Sequence, residues 1–279
     1  LSLNIVPDSL VDQQHRAGEF DPAEVPLNEK NLAYRAAAAM AQAHGLTVND
    51  LNLHLHIDKA VPVAGGMAGG SADAAAALLA VDQYLYEKRL TERTLGLEEL
   101  LALAAPLGAD VPFVVRAAFP LGGLAVGEGT GTELSIVELP EDMIPLDIVL
   151  VAASEGLSTP QVFSELDEGR TAGRYPEADD LQVPSGLLHA LTQTETPIAR
   201  IHEIGRQLRN DLQGPAVTLA PGLETILTMD NESIVEAFVS GSGPTVAILV
   251  EDAPAADELA AALRRRGRHA VATQTPAML

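Results

Sequence analysis

The sequence contains no cysteine and no tryptophan, and its aromatic residues are limited to five phenylalanines and four tyrosines. The absence of cysteine excludes disulfide bonds, thiolate zinc sites and cysteine nucleophiles, and it fits a reducing compartment. The longest apolar run, residues 74–81, is far shorter than the roughly 18 residues that a membrane-spanning helix requires. No basic segment followed by an apolar one indicates a signal peptide. We therefore expect a cytoplasmic protein with no membrane partner.

Basic residues are also scarce, since 17 lysines and arginines stand against 39 acidic residues and give a formal net charge of −22. A nucleic-acid-binding protein needs a basic surface that displaces phosphate counterions, so we expect no nucleic-acid partner. Apolar residues make up 47% of the 279 residues, which is enough to bury a core. At roughly 100–200 residues per domain the length allows two domains, and an acidic turn between Pro140 and Pro145 predicts domains of residues 1–145 and 146–279.

Hydropathy patterns predict a mixture of helices and strands. Asn31 precedes an apolar helical segment as a typical N-cap, and Gly45 follows that segment as a typical helix end. Residues 51–58 alternate between apolar and polar, which indicates a half-buried strand. In the second half, strands alternate with helices, and the acidic stretch of residues 165–184 is expected to be a surface loop. This alternation predicts helices packed on sheets, an α/β or α+β fold.

The densest glycine cluster lies in residues 62–73, Pro-Val-Ala-Gly-Gly-Met-Ala-Gly-Gly-Ser-Ala-Asp, between a predicted strand and a predicted helix. Glycines let a backbone approach a bulky anion, and the N–H groups at the start of a helix attract its charge. Ser71 falls in the predicted first turn, where its hydroxyl can reach a phosphate oxygen or its metal ion. A flexible linker would have polar flanks, whereas these flanks are structured and apolar. The cluster therefore predicts a phosphate-binding loop.

The two common phosphate-loop patterns do not match this cluster. The Walker A pattern needs a lysine before its serine or threonine, but Gly70 is followed directly by Ser71. The dinucleotide fingerprint needs spaced glycines, but Gly65 and Gly66 are adjacent and no spacing in the cluster satisfies it. A nicotinamide-dependent oxidoreductase is therefore the least favoured of the alternative functions.

Outside the cluster, residue types alone leave the candidate side chains open between structure and function. Asp110 precedes Val111 and Pro112 and is typical of a turn or a helix N-cap, with a functional carboxylate as the alternative. Residues 241–243, Gly-Ser-Gly, fit either a turn at the entry to a strand or a second anion contact. Lys59 is interpreted as a solvated residue at a strand end.

Two histidines share one face of the predicted strand at residues 51–58. His54 and His56 have the spacing of a pair of metal ligands, but a zinc site needs a third protein ligand and none is near in the sequence. We therefore interpret the pair as solvent-facing residues, and the sequence assigns no metal ligands.

Several segments resemble the GHMP kinases, the family of galactokinase, homoserine kinase, mevalonate kinase and phosphomevalonate kinase. The glycine cluster with its helix, residues 62–78, resembles the phosphate-binding motif of that family. Four more segments resemble family motifs in the family's order, residues 31–37, 107–113, 122–127 and 239–245. The resemblance implies an α+β, two-domain GHMP kinase fold, with an N-terminal domain like domain 2 of ribosomal protein S5 and a ferredoxin-like C-terminal domain.

The resemblance also implies an ATP-dependent small-molecule kinase that uses Mg²⁺. In the family, the aspartate that matches Asp110 is the catalytic general base, which accepts the proton of the substrate hydroxyl. Ser158, Thr159 and Pro160 resemble a family element near the substrate, although such a triplet also starts ordinary helices. The family motifs imply that ATP contacts Pro62, Val63, Ala64, Gly65, Gly66, Met67, Ala68, Gly69, Gly70, Ser71, Ala72, Gly241, Ser242 and Gly243.

The glycine motif is most similar to the branch of the family that phosphorylates the 2-hydroxyl of 4-diphosphocytidyl-2-C-methyl-D-erythritol, a cytidine diphosphate-linked sugar alcohol of the non-mevalonate isoprenoid pathway. One alternative is a kinase of another alcohol, such as homoserine or mevalonate. The other is a non-catalytic nucleotide-binding module, because the family's catalytic lysine segment is not found. We expect about fifty family residues to precede Leu1, so neither a catalytic lysine nor a cytidine-binding aromatic residue is assigned. The sequence assigns no oligomeric state.

Overall fold

The computed structural model describes residues 1–9, 12–13, 16, 25–59, 61, 65–120, 123–139, 145–153, 156–177, 183, 185–192 and 197–275. The chain forms two compact units. The first unit comprises Leu1–Val63 and Ala68–Val137, and the second unit comprises Ala64–Met67 and Glu138–Leu279. A short piece of the glycine cluster therefore belongs with the C-terminal half of the chain, which the sequence does not indicate. The domain boundary at residue 145 stays a prediction.

The first unit combines helices with two small sheets. Its described elements, in chain order, are β1 (Ser2–Ile5), α1 (Leu32–Ala43), β2 (His54–Ile57), α2 (Gly69–Glu87), α3 (Leu97–Ala104), α4 (Val111–Ala117), β3 (Ala125–Glu128) and β4 (Glu133–Ile136). β1 pairs with β2 in parallel, and β3 pairs with β4 as an antiparallel hairpin. Both α1 and α4 pack against α2, the helix that follows the glycine cluster.

The ends of α1 confirm the predicted caps. The Asn31 side chain accepts a hydrogen bond from the Ala33 amide at 2.9 Å, which satisfies one of the free donors at a helix start. Gly45 follows the helix with a φ of 71°, the left-handed conformation in which glycine commonly ends a helix. The alternation in burial over residues 51–58 is confirmed, since Leu51 and Ile57 are buried, but the strand itself spans only His54–Ile57.

Small side chains join α1 to α2 in the core of the first unit. Ala36, Ala37 and Met40 of α1 and Ala74 and Leu78 of α2 are completely buried. Alanine on both helices lets the two backbones approach closely, and each Å² of apolar surface removed from water contributes about 25 cal/mol. This packing fixes the orientation of α2 and therefore the direction in which the first amides of α2 point.

The second unit contains a four-stranded sheet. Its described elements are β5 (Asp147–Ala152), α5 (Thr159–Thr171), α6 (Ser185–Thr192), α7 (Pro197–Gln207), α8 (Gln213–Leu219), a 3₁₀ turn (Pro221–Leu223), α9 (Glu224–Leu227), β6 (Ile234–Val239), β7 (Val246–Val250), α10 (Ala253–Arg265) and β8 (His269–Gln274). The strand order is β6-β7-β5-β8, and all neighbours are antiparallel. This is the ferredoxin-like order, so the predicted C-terminal fold is confirmed.

Helices cover both faces of this sheet. Val149 and Ile248 pack in a cluster with α5, α8 and α10, whereas Leu249 packs with α6 and α7 on the opposite face. β7 is consequently buried along its whole length. The described helices of both units include none that is long and apolar enough to cross a membrane.

The predicted surface loop at residues 165–184 is wrong in its first part, because α5 extends through Thr171. The residues of α5 that are buried are Val162, Leu166 and Gly169. Because the rest of its sequence is mostly polar, it lacks the wide apolar stripe that indicates a helix. The sequence pattern also does not predict α6, α8 or β6, which are short elements held by tertiary packing.

Candidate active site

The start of α2 is open to a ligand. Its N-cap position is Ala68, which has left-handed backbone angles (φ 50°, ψ 25°) and makes no side-chain hydrogen bond to the helix. Within the described part of the chain, the amides of Gly69, Gly70 and Ser71 have no hydrogen-bond acceptor. A helix of 19 residues concentrates partial positive charge at these amides. The geometry therefore suits an anion at this helix start.

The predicted ATP contacts in the glycine cluster divide between the two units. Pro62, Val63 and Ala64 lie outside the described residues. Gly65, Gly66 and Met67 belong to the second unit, and the first unit holds Ala68, Gly69, Gly70, Ser71 and Ala72. The cluster is therefore not one local turn, because its residues belong to two different units.

Lys59 and Asp73 form an ion pair across the ends of the glycine cluster. Lys59 follows β2 and Asp73 lies near the start of α2, so the pair joins the two elements that flank the cluster. The Lys59 side chain is only 9% exposed, and the Asp73 side chain is 24% exposed. The interpretation of Lys59 as a solvated residue is therefore wrong, because its ammonium group is withdrawn from water and compensated by a carboxylate.

Ser71 brings the start of α2 next to the segment that carries Asp110. A Cβ atom added to Gly108 would lie 3.9 Å from Ser71 Oγ, which measures how closely the hydroxyl approaches this backbone. The turn of the β3–β4 hairpin lies against the same segment, because a Cβ atom added to Gly131 would lie 3.3 Å from the Ala109 carbonyl oxygen. The Asp110 segment is thus held by α2 and by the hairpin, all within the first unit.

The Asp110 carboxylate forms no structural interaction with the described residues. Asp110 occupies the N-cap position of α4, as one of the two sequence interpretations predicts, but its side chain does not cap that helix. The side chain is exposed, and it forms no hydrogen bond or ion pair with a described residue. An aspartate at this position is therefore available to act on a ligand.

The second glycine element, residues 240–245, contacts the first through hydrogen bonds inside the second unit. Ser240 Oγ donates to the Gly66 carbonyl at 2.9 Å, and the Thr245 amide donates to the Gly65 carbonyl at 3.3 Å. Gly66 has a φ of 71°, and a Cβ atom there would lie 2.4 Å from the Ser240 carbonyl oxygen. Only glycine fits this contact. The structure therefore brings residues 65–66 and 240–245 together.

The same element is tied to the start of α5. Ser242 is buried, and its hydroxyl forms a hydrogen bond of 2.8 Å with the Thr159 hydroxyl. Thr159 belongs to the Ser158, Thr159 and Pro160 triplet that opens the helix. The triplet is therefore an ordinary helix start that also touches a predicted ATP contact.

Two side chains that the sequence does not single out hold the end of β6. Asn210 Nδ2 donates to the carbonyls of Val239 and Gly241, both at 2.7 Å. Gln213 Oε1 accepts from the Val239 amide at 3.0 Å. Asn210 and Asp211 precede α8, and such a pair indicates only a helix cap. No sequence signal points to carbonyl partners of Asn210 that lie 29 and 31 residues further along the chain.

His54 and His56 are exposed, as predicted, and their rings contact each other at 4.6 Å between centroids. His54 uses both ring nitrogens in hydrogen bonds to β1, with Ser2 Oγ at 2.6 Å and Asn4 Oδ1 at 2.8 Å. Among the residues that the structure describes, no group of three or more histidine, cysteine, aspartate or glutamate side chains is arranged to hold a metal ion.

Comparison with known proteins gives matches over both halves of the chain. The family models described as GHMP kinases N terminal domain and GHMP kinases C terminal match residues 31–117 and 188–269. The 4-diphosphocytidyl-2-C-methyl-D-erythritol kinase of Paenarthrobacter aurescens (strain TC1) is 42% identical over 277 residues, which are 99% of this chain and 78% of that protein.

Solved structures agree with these matches. A crystal structure of 4-(cytidine 5'-diphospho)-2C-methyl-D-erythritol kinase aligns with a TM-score of 0.65 and 28% identity, over 98% of this chain and 81% of that one. A mevalonate kinase structure aligns with a TM-score of 0.61 at 12% identity, over 98% of this chain and 85% of that one, and supports the fold alone. The predicted two-domain fold is confirmed, and the chain belongs to the GHMP kinase family.

Proposed function

We propose that this protein transfers the γ-phosphoryl group of ATP to the 2-hydroxyl of 4-diphosphocytidyl-2-C-methyl-D-erythritol, a step of the non-mevalonate isoprenoid pathway. The ATP-dependent kinase activity follows from the family, and the acceptor follows from relatives of that name, one of them 42% identical over 99% of the chain. We propose the cytoplasm as the location, which suits a cysteine-free sequence.

The observation that carries the proposal is the open start of α2 beside the Asp110 segment. The amides of Gly69, Gly70 and Ser71 provide donors and partial positive charge for the phosphate groups of ATP. We assign the remaining residues of the glycine cluster, from Pro62 to Ala72, as backbone contacts to the same phosphates. Gly241, Ser242 and Gly243 are the proposed second group of nucleotide contacts.

Asp110 is the proposed general base. Its exposed carboxylate accepts the proton of the 2-hydroxyl as that oxygen attacks the γ-phosphorus in line with the departing ADP oxygen. One O–P bond forms, the bond between the γ-phosphorus and the bridging oxygen of ADP breaks, and the proton resides on the carboxylate. Ser71 lies next to Gly108 of this segment, so the phosphate-binding amides and the base share one part of the first unit.

Mg²⁺ is a proposed partner of ATP in this reaction. Mg²⁺ in kinases is bound through substrate phosphates with only one or two protein oxygens, so a dedicated cluster of three carboxylates is not needed. The described residues fit this requirement, because the Ser71 hydroxyl stands at the start of α2 among the proposed phosphate contacts. When bound, Mg²⁺ neutralises charge on the β- and γ-phosphate oxygens.

The test is an acceptor screen. The protein is incubated with ATP, Mg²⁺ and one alcohol at a time, namely 4-diphosphocytidyl-2-C-methyl-D-erythritol, homoserine, mevalonate or phosphomevalonate, and both ADP and the phosphorylated product are measured. We expect ADP release only with the cytidine compound, matched by its gain of one phosphate. Turnover with one of the other alcohols would identify a different kinase, and binding of ATP without any turnover would favour a non-catalytic nucleotide-binding module.

A further inference from the structure

We propose that Asn210 is a positioning residue for ATP binding, an inference that rests on the proposed function. Among the described residues, the one proposed ATP contact to which Asn210 forms a hydrogen bond is Gly241, through its carbonyl. The effect of Asn210 is transmitted through the second glycine element to Gly66. Each link in this chain of hydrogen bonds lies within the second unit.

The first link holds the end of an edge strand. β6 lies at the edge of the sheet, and in an antiparallel strand the N–H and C=O of one residue point to the same side. At Val239, the last residue of β6, the carbonyl accepts from Asn210 Nδ2 and the amide donates to Gln213 Oε1. Two side chains therefore bind the edge where a further strand would otherwise pair.

The second link uses both N–H donors and the oxygen of one carboxamide. Asn210 Nδ2 donates its second hydrogen bond to the Gly241 carbonyl at 2.7 Å, and Asn210 Oδ1 accepts from the Leu212 amide at 2.9 Å. Because both partners of the nitrogen are carbonyl oxygens, this position requires a donor. Gln213 has the opposite requirement, because its only partner at this strand is the Val239 amide and an acceptor satisfies it.

The third link connects this element to the glycine cluster. Gly241 has a φ of 56° and lies against Gly66, since a Cβ atom added to Gly241 would be 3.4 Å from the Gly66 carbonyl oxygen. Ser240, between Val239 and Gly241, donates its hydroxyl to that same oxygen at 2.9 Å. Asn210 therefore hydrogen-bonds to the residues on both sides of Ser240. Because Ser240 holds the Gly66 carbonyl, a shift of the turn at residues 240–245 displaces the Gly66 backbone, two residues before Ala68.

The test exploits the opposite requirements of the two amides. Asn210→Asp removes both donated hydrogen bonds and sets a carboxylate against two carbonyl oxygens, whereas Gln213→Glu keeps the acceptor for the Val239 amide. Both changes add one negative charge next to Val239. The Michaelis constant for ATP, kcat, the Michaelis constant for the acceptor, and the dissociation constant of ATP by calorimetry are measured for each variant and for the unmodified protein.

We expect Asn210→Asp to raise both the Michaelis constant and the dissociation constant of ATP about tenfold, equivalent to about 1.4 kcal/mol, with the acceptor constant unchanged. Gln213→Glu should change them by less than about twofold, because the glutamate oxygen still accepts the hydrogen bond from the Val239 amide. Asn231→Asp is the remote control, since the Asn231 side-chain oxygen accepts from the Ser233 amide and hydroxyl and an aspartate oxygen keeps both bonds.

Equal losses of ATP affinity in Asn210→Asp and Gln213→Glu would overturn the proposal, because charge alone would then explain them. A lower melting temperature of Asn210→Asp with unchanged ATP affinity would also overturn it and leave a purely structural role. Absence of turnover with the cytidine compound in the unmodified protein would contradict the proposed function instead, and the ATP dissociation constants would still decide the role of Asn210.

Discussion

The two glycine-rich elements of this protein differ in what their hydrogen-bonding groups contact. At the start of α2, the amides of Gly69, Gly70 and Ser71 have no acceptor within the described residues, and no side chain caps the helix. In residues 240–245, by contrast, Asn210 and Thr159 bind the turn through Gly241 and Ser242, and the Ser240 hydroxyl of the turn donates to the Gly66 carbonyl. At the start of α2 the glycines leave amides accessible to a ligand, whereas Gly241 permits close contact with the Gly66 backbone.

This difference separates a helix start that is open to a ligand from a turn whose shape its neighbours already fix. The first amides of a helix have no acceptor within the helix, and one anion can satisfy several of them at once, so the uncapped start of α2 suits an anionic ligand. The turn at residues 240–245 is held by Asn210 and Thr159, and its Ser240 holds the Gly66 carbonyl, so side chains fix both its shape and that of its neighbour. The following changes test the difference, in order of decreasing expected effect.

The largest effect is expected at Asp110, whose segment approaches the start of α2 at Gly108. Asp110→Asn keeps the size of the side chain and removes its ability to accept a proton, so kcat should fall by about 10²- to 10⁴-fold. The dissociation constant of ATP should change by less than about threefold, because the amides that bind phosphate are untouched. Steady-state kinetics and calorimetry measure the two quantities. Parallel losses in kcat and in ATP affinity would count against the assignment of Asp110 as the base.

A large loss of stability is expected when the ion pair beside the open helix start is broken. Asp73→Ala leaves the nearly buried Lys59 ammonium without a partner, which should cost about 3 kcal/mol in the free energy of unfolding. Lys59→Met should cost less, because Asp73 is 24% exposed and its carboxylate still interacts favourably with the start of α2.

Urea denaturation of both variants and of Lys59→Met with Asp73→Leu measures this ordering. The double variant should recover most of the lost stability, because it leaves no unpaired charge. If Lys59→Met were as destabilising as Asp73→Ala, the burial of the lysine would not be the reason for the cost.

A moderate effect is expected where the two glycine elements meet. Gly66→Ala places a Cβ atom 2.4 Å from the Ser240 carbonyl oxygen and 2.8 Å from the Gly243 carbonyl oxygen, at a φ of 71°. Left-handed backbone costs a non-glycine residue about 1–2 kcal/mol, so the dissociation constant of ATP should rise about tenfold as the loop shifts. Gly222→Ala is the matched control, since nothing lies within 4 Å of a Cβ atom there. Equal ATP affinities for the two variants would contradict the close contact.

The smallest effect is expected away from both glycine elements, at the start of α3. The Arg93 guanidinium lowers the pKa of Glu99 from 4.5 to about 2, with help from the Gly96 amide. Because the folded pKa is depressed, the stabilisation is fully present above pH 4.5 and is lost as the pH falls toward about 2. Glu99→Gln should therefore melt slightly below the unmodified protein at pH 6, and the gap should close in acid. A gap that does not change with pH would contradict this linkage.

Local signals predicted much of the fold. The Asn31 cap, the Gly45 helix end and the alternation at residues 51–58 depend on neighbours in the sequence, and the structure confirms them. The glycine cluster and the segment around Asp110 are equally local, which is why they also indicated the family. The C-terminal part of α5 is not predicted, because its many exposed acidic residues leave only a narrow buried face and no clear apolar periodicity.

Contacts between distant residues could not be predicted. Lys59 looks solvated in the sequence because its partner Asp73 is defined only once α2 is packed. The contact between Ser240 and Gly66 joins residues 174 positions apart, and no periodicity or motif encodes such a hydrogen bond. Asn210 likewise has an ordinary capping sequence, and its role emerges only from the position of β6 at the sheet edge.

The most direct test of the central claim observes the amides at the start of α2. In a ¹⁵N-labelled sample, ATP should shift the amide resonances of Gly69, Gly70 and Ser71, and adenosine, which lacks phosphate, should leave them in place. The Gly243 amide already donates to the Ser240 carbonyl at 2.8 Å and should move much less. If ATP bound while the Gly69, Gly70 and Ser71 resonances stayed in place, the start of α2 would not be the phosphate site.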